Sequence, residues 1–315
     1  MKIETLDEIK DWFIDTPSPL APAKYATIAI LRRTEDYAIF RTESDRYTNS
    51  VATPMSRKNK EMIERALILA SKQKAVERRH QNKIMRSVKP DAEECYLKDF
   101  LCLSCPVCIL NGGIKAVKGA DELSVKSRVL YQTAYSILPL QDIVESITFN
   151  AVDEKTTKTD QALGEREMVK PDTHFISAVS ILAPTVDELK LYLYSMLNTT
   201  RYGAETRGLG VLENKLLALV LSDTEEFSAL GLTLDVYGEL VEPDTDIVLG
   251  YESILTSTDE VCFNPIKDKV DLLISGSQAA QLEAKIRGAT PDLKWIDKMY
   301  KKAGEYRESV LKAGK

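Results

Sequence analysis

The feature that most constrains folding is the run CLSCPVC, in which Cys102, Cys105 and Cys108 follow one another at two-residue intervals. Gaps of this length let successive thiolates turn toward one centre, which is the ligand spacing of tetrahedral zinc sites. A structural zinc ion usually takes four ligands, and the fourth could be Cys95 or His80, both upstream. We therefore expect a short, loop-rich insertion that a structural zinc ion stabilises.

Two other interpretations of these cysteines stay open. The pair in CPVC resembles a redox CxxC motif, but ILNGG after it disfavours the helix that such a motif needs. The thiols could instead be small core residues, although three in seven positions is a dense cluster for core filling. Cys262 lies far away in a strand-like context, and we interpret it as a buried core thiol.

The ends and the hydropathy of the chain indicate where it works. The N-terminal MKIETLDEIKDWF has no basic segment followed by an apolar run, so no secretory signal is expected. No stretch approaches the ~18 apolar residues that span a bilayer. We expect a cytoplasmic protein with no membrane partner, in which the cysteines stay reduced.

The net charge of −6 over 315 residues hides a strong segregation of charge. Residues 55–90 contain eleven Lys and Arg against Glu61, Glu64 and Glu77, whereas residues 222–262 contain eleven acids and no Lys, Arg or His. A local basic patch can bind phosphates, and opposite patches permit head-to-tail association of copies. An equally open interpretation is that both are solvated faces of helices and loops.

The apolar pattern predicts an α+β fold. Strands are expected at 25–42 (two segments around a polar turn), in SVKSRVLYQTAYSI, at 142–152, at 173–182 and in LGVLENKLLALVLS. A polar loop precedes residue 60, and a long polar hairpin tip lies between 152 and 173. Strand, insertion, strand, hairpin, strand, helix, strand is a ferredoxin-like βαββαβ order with added material, with helices on one face of an antiparallel sheet.

Three helical regions are expected. The first covers 60–87, and its later half is so polar and basic that it should project from the body. The second starts at Thr185, with Glu188 as capping-box partner, and is closed by Gly203. The last forty residues are helical. Their apolar stripe consists of Leu293, Ile296, Met299, Tyr300 and Ala303.

The common catalytic motifs are missing from the sequence. Only two histidines are present, and there is no GxSxG, HExxH or P-loop. The string GAETRGLG is not GxGxxG, and a plain turn between helix and strand is one interpretation of it. The other is that bare backbone approaches a phosphate there, with Arg201 and Arg207 beside it.

Four passages taken in order resemble one family. They are RRTEDYAIFRTE, CLSCPVCILNGG followed by KSRV, the strands FNAVDEKT and HFISAVSIL, and RYGAETRGLGVLENKLLAL. The chain resembles the backbone subunit of the type I-D CRISPR surveillance complex (Cascade), in the RAMP superfamily of guide-RNA-binding proteins. The resemblance implies an antiviral role: copies line up along one guide RNA with other CRISPR subunits, and a thumb kinks the guide so that short segments pair with target DNA or RNA.

The resemblance also implies the domain organisation. The core would be like an RNA-recognition motif, with a lid at 43–58 and a thumb at 150–172. The expected divisions are first strands and lid (1–59), helical and zinc-binding insertion (60–120), core sheet with thumb (121–222), and acidic segment with C-terminal helices (223–315). RNA-recognition motifs usually stack bases on exposed sheet aromatics. No such pair is visible here, so binding should rest on phosphates. The expected RNA-binding residues are Arg41, Arg46, Arg57, Lys58, Lys60, Lys126, Arg128, Lys155, Lys158, Arg166, Arg201, Arg207 and Gly208.

Whether the chain also cuts nucleic acid is left open. Type III relatives cleave with an aspartate in the lid, where this sequence has Asp45, but a lone loop carboxylate is usually only solvated. A stand-alone metal-dependent nuclease would need converging carboxylates. The acidic run that could supply them is Asp235, Glu239, Glu242, Asp244 and Asp246. A third alternative is a zinc-stabilised scaffold that binds only protein.

Overall fold

The computed structural model describes residues 5–42, 47–92, 94–97, 100–115, 123–152, 154–157, 159–241 and 249–313. The strands are β1 Tyr25–Thr34, β2 Ser50–Pro54, β3 Met62–Ile68, β4 Gly113–Lys115, β5 Leu123–Val125, β6 Val129–Tyr131, β7 Ala134–Ser136, β8 Val144–Val152, β9 Thr159–Val169, β10 His174–Leu182, β11 Leu212–Ser222 and β12 Leu272–Ser275. The helices are α1 Ala70–Val88, α2 Pro106–Asn111, α3 Leu140–Ile143, α4 Val186–Leu197, α5 Ala229–Leu240, α6 Tyr251–Thr258, α7 Gly276–Gly288 and α8 Leu293–Ala313. Short 3-10 or π-helical turns cover Leu6–Trp12, Asp259–Phe263 and Asn264–Ile266.

The large sheet runs in the order β12-β11-β1-β10-β7-β3-β2, and β6 also pairs with β10. Its pairings are antiparallel, and β1 lies between β10 and β11 in its centre. Successive side chains of a strand point to opposite faces. Ile28 and Ile30 accordingly pack with α4 and α7, while Ala29 and Leu31 pack with α5 and α6. The expected α+β class with an antiparallel sheet is confirmed, but helices cover both faces rather than one.

The region expected to begin with a helix at residue 60 begins with a strand. Met62–Ile68 is β3, which pairs with β2 and β7, and the helix starts only at Ala70. The short apolar run fits strand and helix periodicity alike, and sheet pairing decides between them. The polar stretch expected to be a loop likewise contains β2, a strand at the end of the sheet order whose backbone pairs with β3.

Helix α1 does not project from the body, contrary to the expectation from its polarity. It packs against α4, and Gln73, Glu77 and Gln81 are fully buried on its inner face. Buried polar side chains are tolerated when they are hydrogen-bonded, and these three are. An apolar-periodicity argument cannot recognise such a face, because the buried side chains are not apolar.

The β8–β9 hairpin forms a separate two-stranded sheet. Its strands pair from Val144 with Val169 to Val152 with Thr159. The long polar tip expected there is wrong, because β9 takes up residues 159–169 of it. Backbone pairing with β8 forms a strand where the side-chain pattern shows no apolar alternation.

Several smaller expectations also differ from the structure. Residues 25–42 hold one long strand and an isolated bridge at Ala38, not two strands, and 123–136 is split into three short strands. The capping box of Thr185 and Glu188 is confirmed, but α4 ends at Leu197 instead of at Gly203. Cys262 is only partly buried and lies in a π-helical turn.

The C-terminal helices follow the sequence expectation closely. Ile296, Met299 and Ala303 of α8 are buried, whereas Leu293, at the start of the expected stripe, is 51% exposed. Within the described residues, no helix combines the length and the apolar character needed to cross a membrane.

Candidate metal centre and nucleic-acid cleft

Four buried cysteines converge on one point. The sulfur atoms of Cys95, Cys102, Cys105 and Cys108 all lie within 4.8 Å of one another, with Sγ–Sγ distances of 3.4 Å for Cys95–Cys108 and 3.8 Å for Cys95–Cys105. A tetrahedral zinc ion with ~2.3 Å bonds places its sulfur ligands about 3.8 Å apart. The four thiols therefore have the dimensions of a site that could hold a metal ion such as zinc.

Local backbone geometry aims these thiols inward. Cys105 is the N-cap of α2, and its sulfur accepts a hydrogen bond from the Cys108 N–H at 3.4 Å. Cys102 Sγ accepts from the Cys105 N–H at 3.3 Å, across a turn in which Leu103 has φ +54°. The short helix α2 forms despite the following ILNGG and ends at Asn111.

His80 does not join the cluster. Its Nδ1 lies 2.9 Å from Thr199 Oγ1 and 3.1 Å from the Ser195 carbonyl oxygen, which ties α1 to α4. Burial lowers the pKa of His80 below its ordinary value, so the neutral ring is favoured. Of the two alternatives for a fourth ligand, the structure places Cys95 with the other thiols.

Two arginines contact the cysteine cluster from outside. The buried Arg78 of α1 donates a hydrogen bond from Nη2 to Cys108 Sγ at 3.4 Å, and Arg307 of α8 donates to the Cys102 carbonyl oxygen at 3.1 Å. Four thiolates around a divalent ion carry excess negative charge. A guanidinium donor beside them offsets part of that charge, as outer hydrogen bonds do in metal sites.

The residue before Arg78 belongs to a second buried network. Glu77 Oε1 accepts hydrogen bonds from Arg32 Nη2 at 2.8 Å and from the Tyr202 hydroxyl at 2.9 Å. Glu77 Oε2 accepts from the hydroxyls of Tyr131 at 2.8 Å and Tyr192 at 3.1 Å. Both carboxylate oxygens are therefore satisfied in a site without solvent. Burial and the Glu77 charge raise the pKa of Tyr202, which keeps its hydroxyl a donor.

This network fixes the loop that follows α4. Asn214 Oδ1 accepts from Arg32 at 2.7 Å, while its Nδ2 donates to the carbonyl oxygens of Met196 at 2.9 Å and Thr199 at 2.7 Å. Tyr202, one of the Glu77 partners, stands immediately before Gly203. The buried charges thus set the position where the glycine loop, residues 203–210, leaves the core.

Two glycines of this loop are needed by its backbone. Gly203 has φ +92°, and a Cβ there would lie 2.5 Å from the Ile39 carbonyl oxygen. Gly210 has φ +76°, and a Cβ there would lie 2.2 Å from the Tyr202 carbonyl oxygen. Gly208 differs, because a Cβ there meets nothing within 4 Å. Gly203 and Gly210 shape the loop, while the surface at Gly208 is open.

A cleft of about 370 Å³ lies beside the glycine loop. One wall is the chain around Arg41, and the other is the start of α1. The lining residues are Phe40, Arg41, Thr42, Asn49, Leu67, Ile68, Leu69, Lys72, Gly203 and Ala204. Lys72 was not among the residues expected from the sequence to bind RNA. Its position after β3 and next to a glycine loop became visible only through the sheet topology.

Glu205 of the glycine loop brings two expected RNA-binding arginines together. It pairs with Arg166 of β9 through Oε2, and its Oε1 lies 3.7 Å from Arg41 Nη2. Glu205 has φ +52°, an uncommon conformation for a residue with a side chain. One carboxylate therefore joins the cleft wall, the glycine loop and the β8–β9 hairpin.

Two other expected RNA-binding residues have structural partners instead. Arg128 is buried and forms an ion pair with Glu188, so its expected role in RNA binding is wrong. Arg57 Nε lies 2.8 Å from Asp235 Oδ1, which joins the basic segment to the acidic segment of the same chain. Formation of this ion pair raises the pKa of Arg57.

The other expected residues are exposed or lie outside the described residues. Arg201 is exposed and donates to the Leu209 carbonyl oxygen at 3.0 Å. Lys60, Lys126, Lys155 and Arg207 are exposed, and so is Lys58. Arg46, Lys158, Asp45, Glu242, Asp244 and Asp246 lie outside the described residues. Among the residues that are described, the one group of metal-binding side chains is the cysteine cluster.

Comparison with solved structures defines the class of protein. The fold is similar to that of a chain in a structure called CRISPR RNA-guided surveillance complex (TM-score 0.50, 11% identity, covering 88% of this chain and 99% of that chain). It is also similar to a chain of the same complex in a pre-nicking state (TM-score 0.53, 11% identity, 89% and 100%). A crystal structure of Csc2 from Thermofilum pendens matches with TM-score 0.66 and 16% identity, over 97% of this chain and 94% of that one.

The sequence comparison gives the family. No curated protein matches the chain significantly. The model of the Csc2 CRISPR family matches residues 12–298, which is most of the 315-residue chain. The chain belongs to the Csc2 CRISPR family, so the resemblance seen in its sequence is confirmed at the level of this family.

Proposed function

We propose that this protein is a backbone subunit of a type I-D CRISPR surveillance complex that binds guide RNA and assembles along it with further copies and other subunits. The observation that carries the proposal is the family match over residues 12–298. The proposal includes the finer expectations: membership of the RAMP superfamily, a core of the RNA-recognition-motif type, and the division into lid, insertion, core and thumb.

The cleft beside the glycine loop is the proposed guide-RNA site. It combines exposed backbone at Gly208 with the cations Arg41, Lys72, Arg201 and Arg207. Backbone amides and arginines of this kind bind phosphates without reading bases. Tyr47, which is 72% exposed near the cleft residue Asn49, is available to stack on a base of any identity. Such a site suits a guide whose sequence varies.

The cysteine cluster is proposed to hold one structural zinc ion. Cys95, Cys102, Cys105 and Cys108 would be the ligands, and Arg78 would offset the charge of the thiolates. The zinc would supply a cross-link between α2 and the chain around Cys95. Short segments with little apolar core need such a cross-link to be stable.

Filter binding of unrelated single-stranded RNAs across a salt series tests the proposed function. Phosphate contacts release counterions, so log affinity should fall with log salt at about −0.7 per contact on a single strand. The paired substitution Arg41→Gln and Arg207→Gln should make this slope shallower and create no base preference. A flat salt response, or strong preference for one sequence, would leave the protein-binding scaffold or a sequence-specific enzyme as the better explanation.

A further inference from the structure

The exposed face of α1 carries a stripe of four cations. Lys72, Arg79, Lys83 and Arg86 are all exposed, and the other exposed side chains of this helix are Ser71 and Ser87. At 100° per residue the four cations fall within a sector of about 60°, and from first to last they extend about 21 Å along the helix. The single acid of α1, Glu77, is fully buried on the opposite side.

These four cations differ from those of the proposed guide-RNA site in their charge balance. Arg41 and Arg166 share the carboxylate of Glu205. Within the described part of the chain, by contrast, no carboxylate lies within ion-pairing distance of the α1 stripe. A cation that already has a carboxylate partner must give it up, at least in part, to bind a phosphate, whereas an unpaired cation only exchanges water and small counterions.

The stripe is continuous with the cleft. Lys72, its first member, lines the cleft together with Arg41 and Gly203. One turn beyond the middle of the helix, His80 is tied to the end of α4 through Thr199. From there the stripe continues toward the C-terminal end of α1, where Lys89 pairs with Asp297 of α8. A strand leaving the cleft past Lys72 would therefore meet Arg79, Lys83 and Arg86 in turn.

The stripe is also held rigidly. The inner face of α1 is anchored by the Glu77 network, by the contact of Arg78 with the cysteine cluster and by the Gln81 bond to Ser195. Fixed charges lose less conformational freedom on binding than charges on a mobile loop do. This anchoring gives a reason why a helix with so polar a composition is packed against the body.

We infer that the exposed face of α1 is a second phosphate-binding surface, which takes the backbone of single-stranded RNA where that strand leaves the glycine-loop cleft. The inference rests on the proposed function, because it extends the same RNA path. An acidic surface on a neighbouring copy fits the charge less well. The acidic segment already uses Asp235 on Arg57 and Asp259 on Ser275 of its own chain.

The test uses the full-length chain and a single-stranded RNA of mixed sequence. The variant carries Arg79→Gln and Lys83→Gln. Its matched control carries Lys267→Gln and Lys269→Gln, two exposed lysines in the segment that leads into β12, at the opposite end of the sheet order from β3. The test variant should lose two phosphate contacts, so its salt slope should be shallower by about 1.4, while the control keeps the slope of the parent protein.

A charge-conserving variant separates charge from shape. Arg79→Lys with Lys83→Arg should restore the slope, because phosphate binding of this kind needs positive charge and no defined fork geometry. If Arg79→Gln with Lys83→Gln keeps the parent slope while Arg41→Gln with Arg207→Gln makes it shallower, RNA stays in the cleft and the inference is wrong, although the proposed function stands. If neither pair responds, the proposed function itself fails. If the stripe variant binds RNA normally but no longer associates with other copies, the stripe is a protein-binding surface, which also overturns the inference.

Discussion

Glu205 and Arg166 form an ion pair that joins the glycine loop to the β8–β9 hairpin, and the same carboxylate lies 3.7 Å from Arg41. All three side chains are at least a quarter exposed or close to it, so solvent and salt weaken the attraction between them. A phosphate of bound RNA would need the same two guanidinium groups. Glu205 therefore occupies the place that an RNA phosphate would take.

Removing the Glu205 charge is expected to strengthen RNA binding. Glu205→Gln frees two guanidinium groups, so affinity should rise at low salt and the salt slope should become steeper by up to ~0.7 for each cation released. The matched control is Glu213→Gln, which removes an equally exposed carboxylate that pairs with Arg33 and Lys215. Equal gains in both variants would mean that only the net charge matters, and weaker binding by Glu205→Gln would mean that the carboxylate instead holds the arginines in place for RNA.

Elemental analysis should find about one zinc ion per chain in protein purified without added metal. Changing Cys102, Cys105 and Cys108 to Ser should abolish it. Because Arg78 and Glu77 are neighbours on α1, one facing the cysteine cluster and the other facing Arg32, loss of zinc should also lower the melting temperature of the core. Zinc that persists in the triple variant would refute this assignment.

The buried pair of Arg32 and Glu77 should be costly to break from one side. Glu77→Gln keeps the shape but leaves the Arg32 charge uncompensated where solvent cannot reach it, so unfolding in urea should show a loss of about 3–5 kcal/mol. Tyr192→Phe removes one hydrogen bond to Glu77 and should cost only about 1 kcal/mol. If the two variants lose equal stability, the charge of Glu77 is not what the network depends on.

Stability should decline in mild acid because of two buried histidines. Burial lowers the pKa of His80 and of His174 below the unfolded value of about 6.5. The unfolded chain then binds more protons than the folded chain, so this contribution is present above about pH 6.5 and is lost as pH falls through the lower folded pKa values. His80→Gln should reduce that pH dependence of the melting temperature. A variant with the unchanged pH profile would exclude His80 as a cause.

The parts of the fold that follow local rules could be predicted from the sequence. The apolar runs of β10 and β11, the cap of α4 and the spacing of Cys102, Cys105 and Cys108 all express short-range geometry. The packing of α1 could not be predicted, because its buried face is polar and is satisfied only by β1, α4 and the chain around Tyr202.

The roles of individual arginines were harder still to predict. Sequence alone does not distinguish Arg128, which is buried on Glu188, from Arg201, which is exposed beside the glycine loop. Their acidic partners lie far away along the chain or on another element, so only the tertiary structure separates an available cation from one already paired. The same reason hid Glu205, whose two partners come from before β2 and from β9.

The most direct test of the central claim counts copies of the protein on RNA. Native mass spectrometry of the purified chain with single-stranded RNAs of increasing length and unrelated sequence would report the stoichiometry of each complex. A subunit that assembles along a guide should add copies in regular steps as the RNA lengthens, with no dependence on base sequence. A protein that stays monomeric on RNA of every length, or that binds no RNA at low salt, would contradict the account.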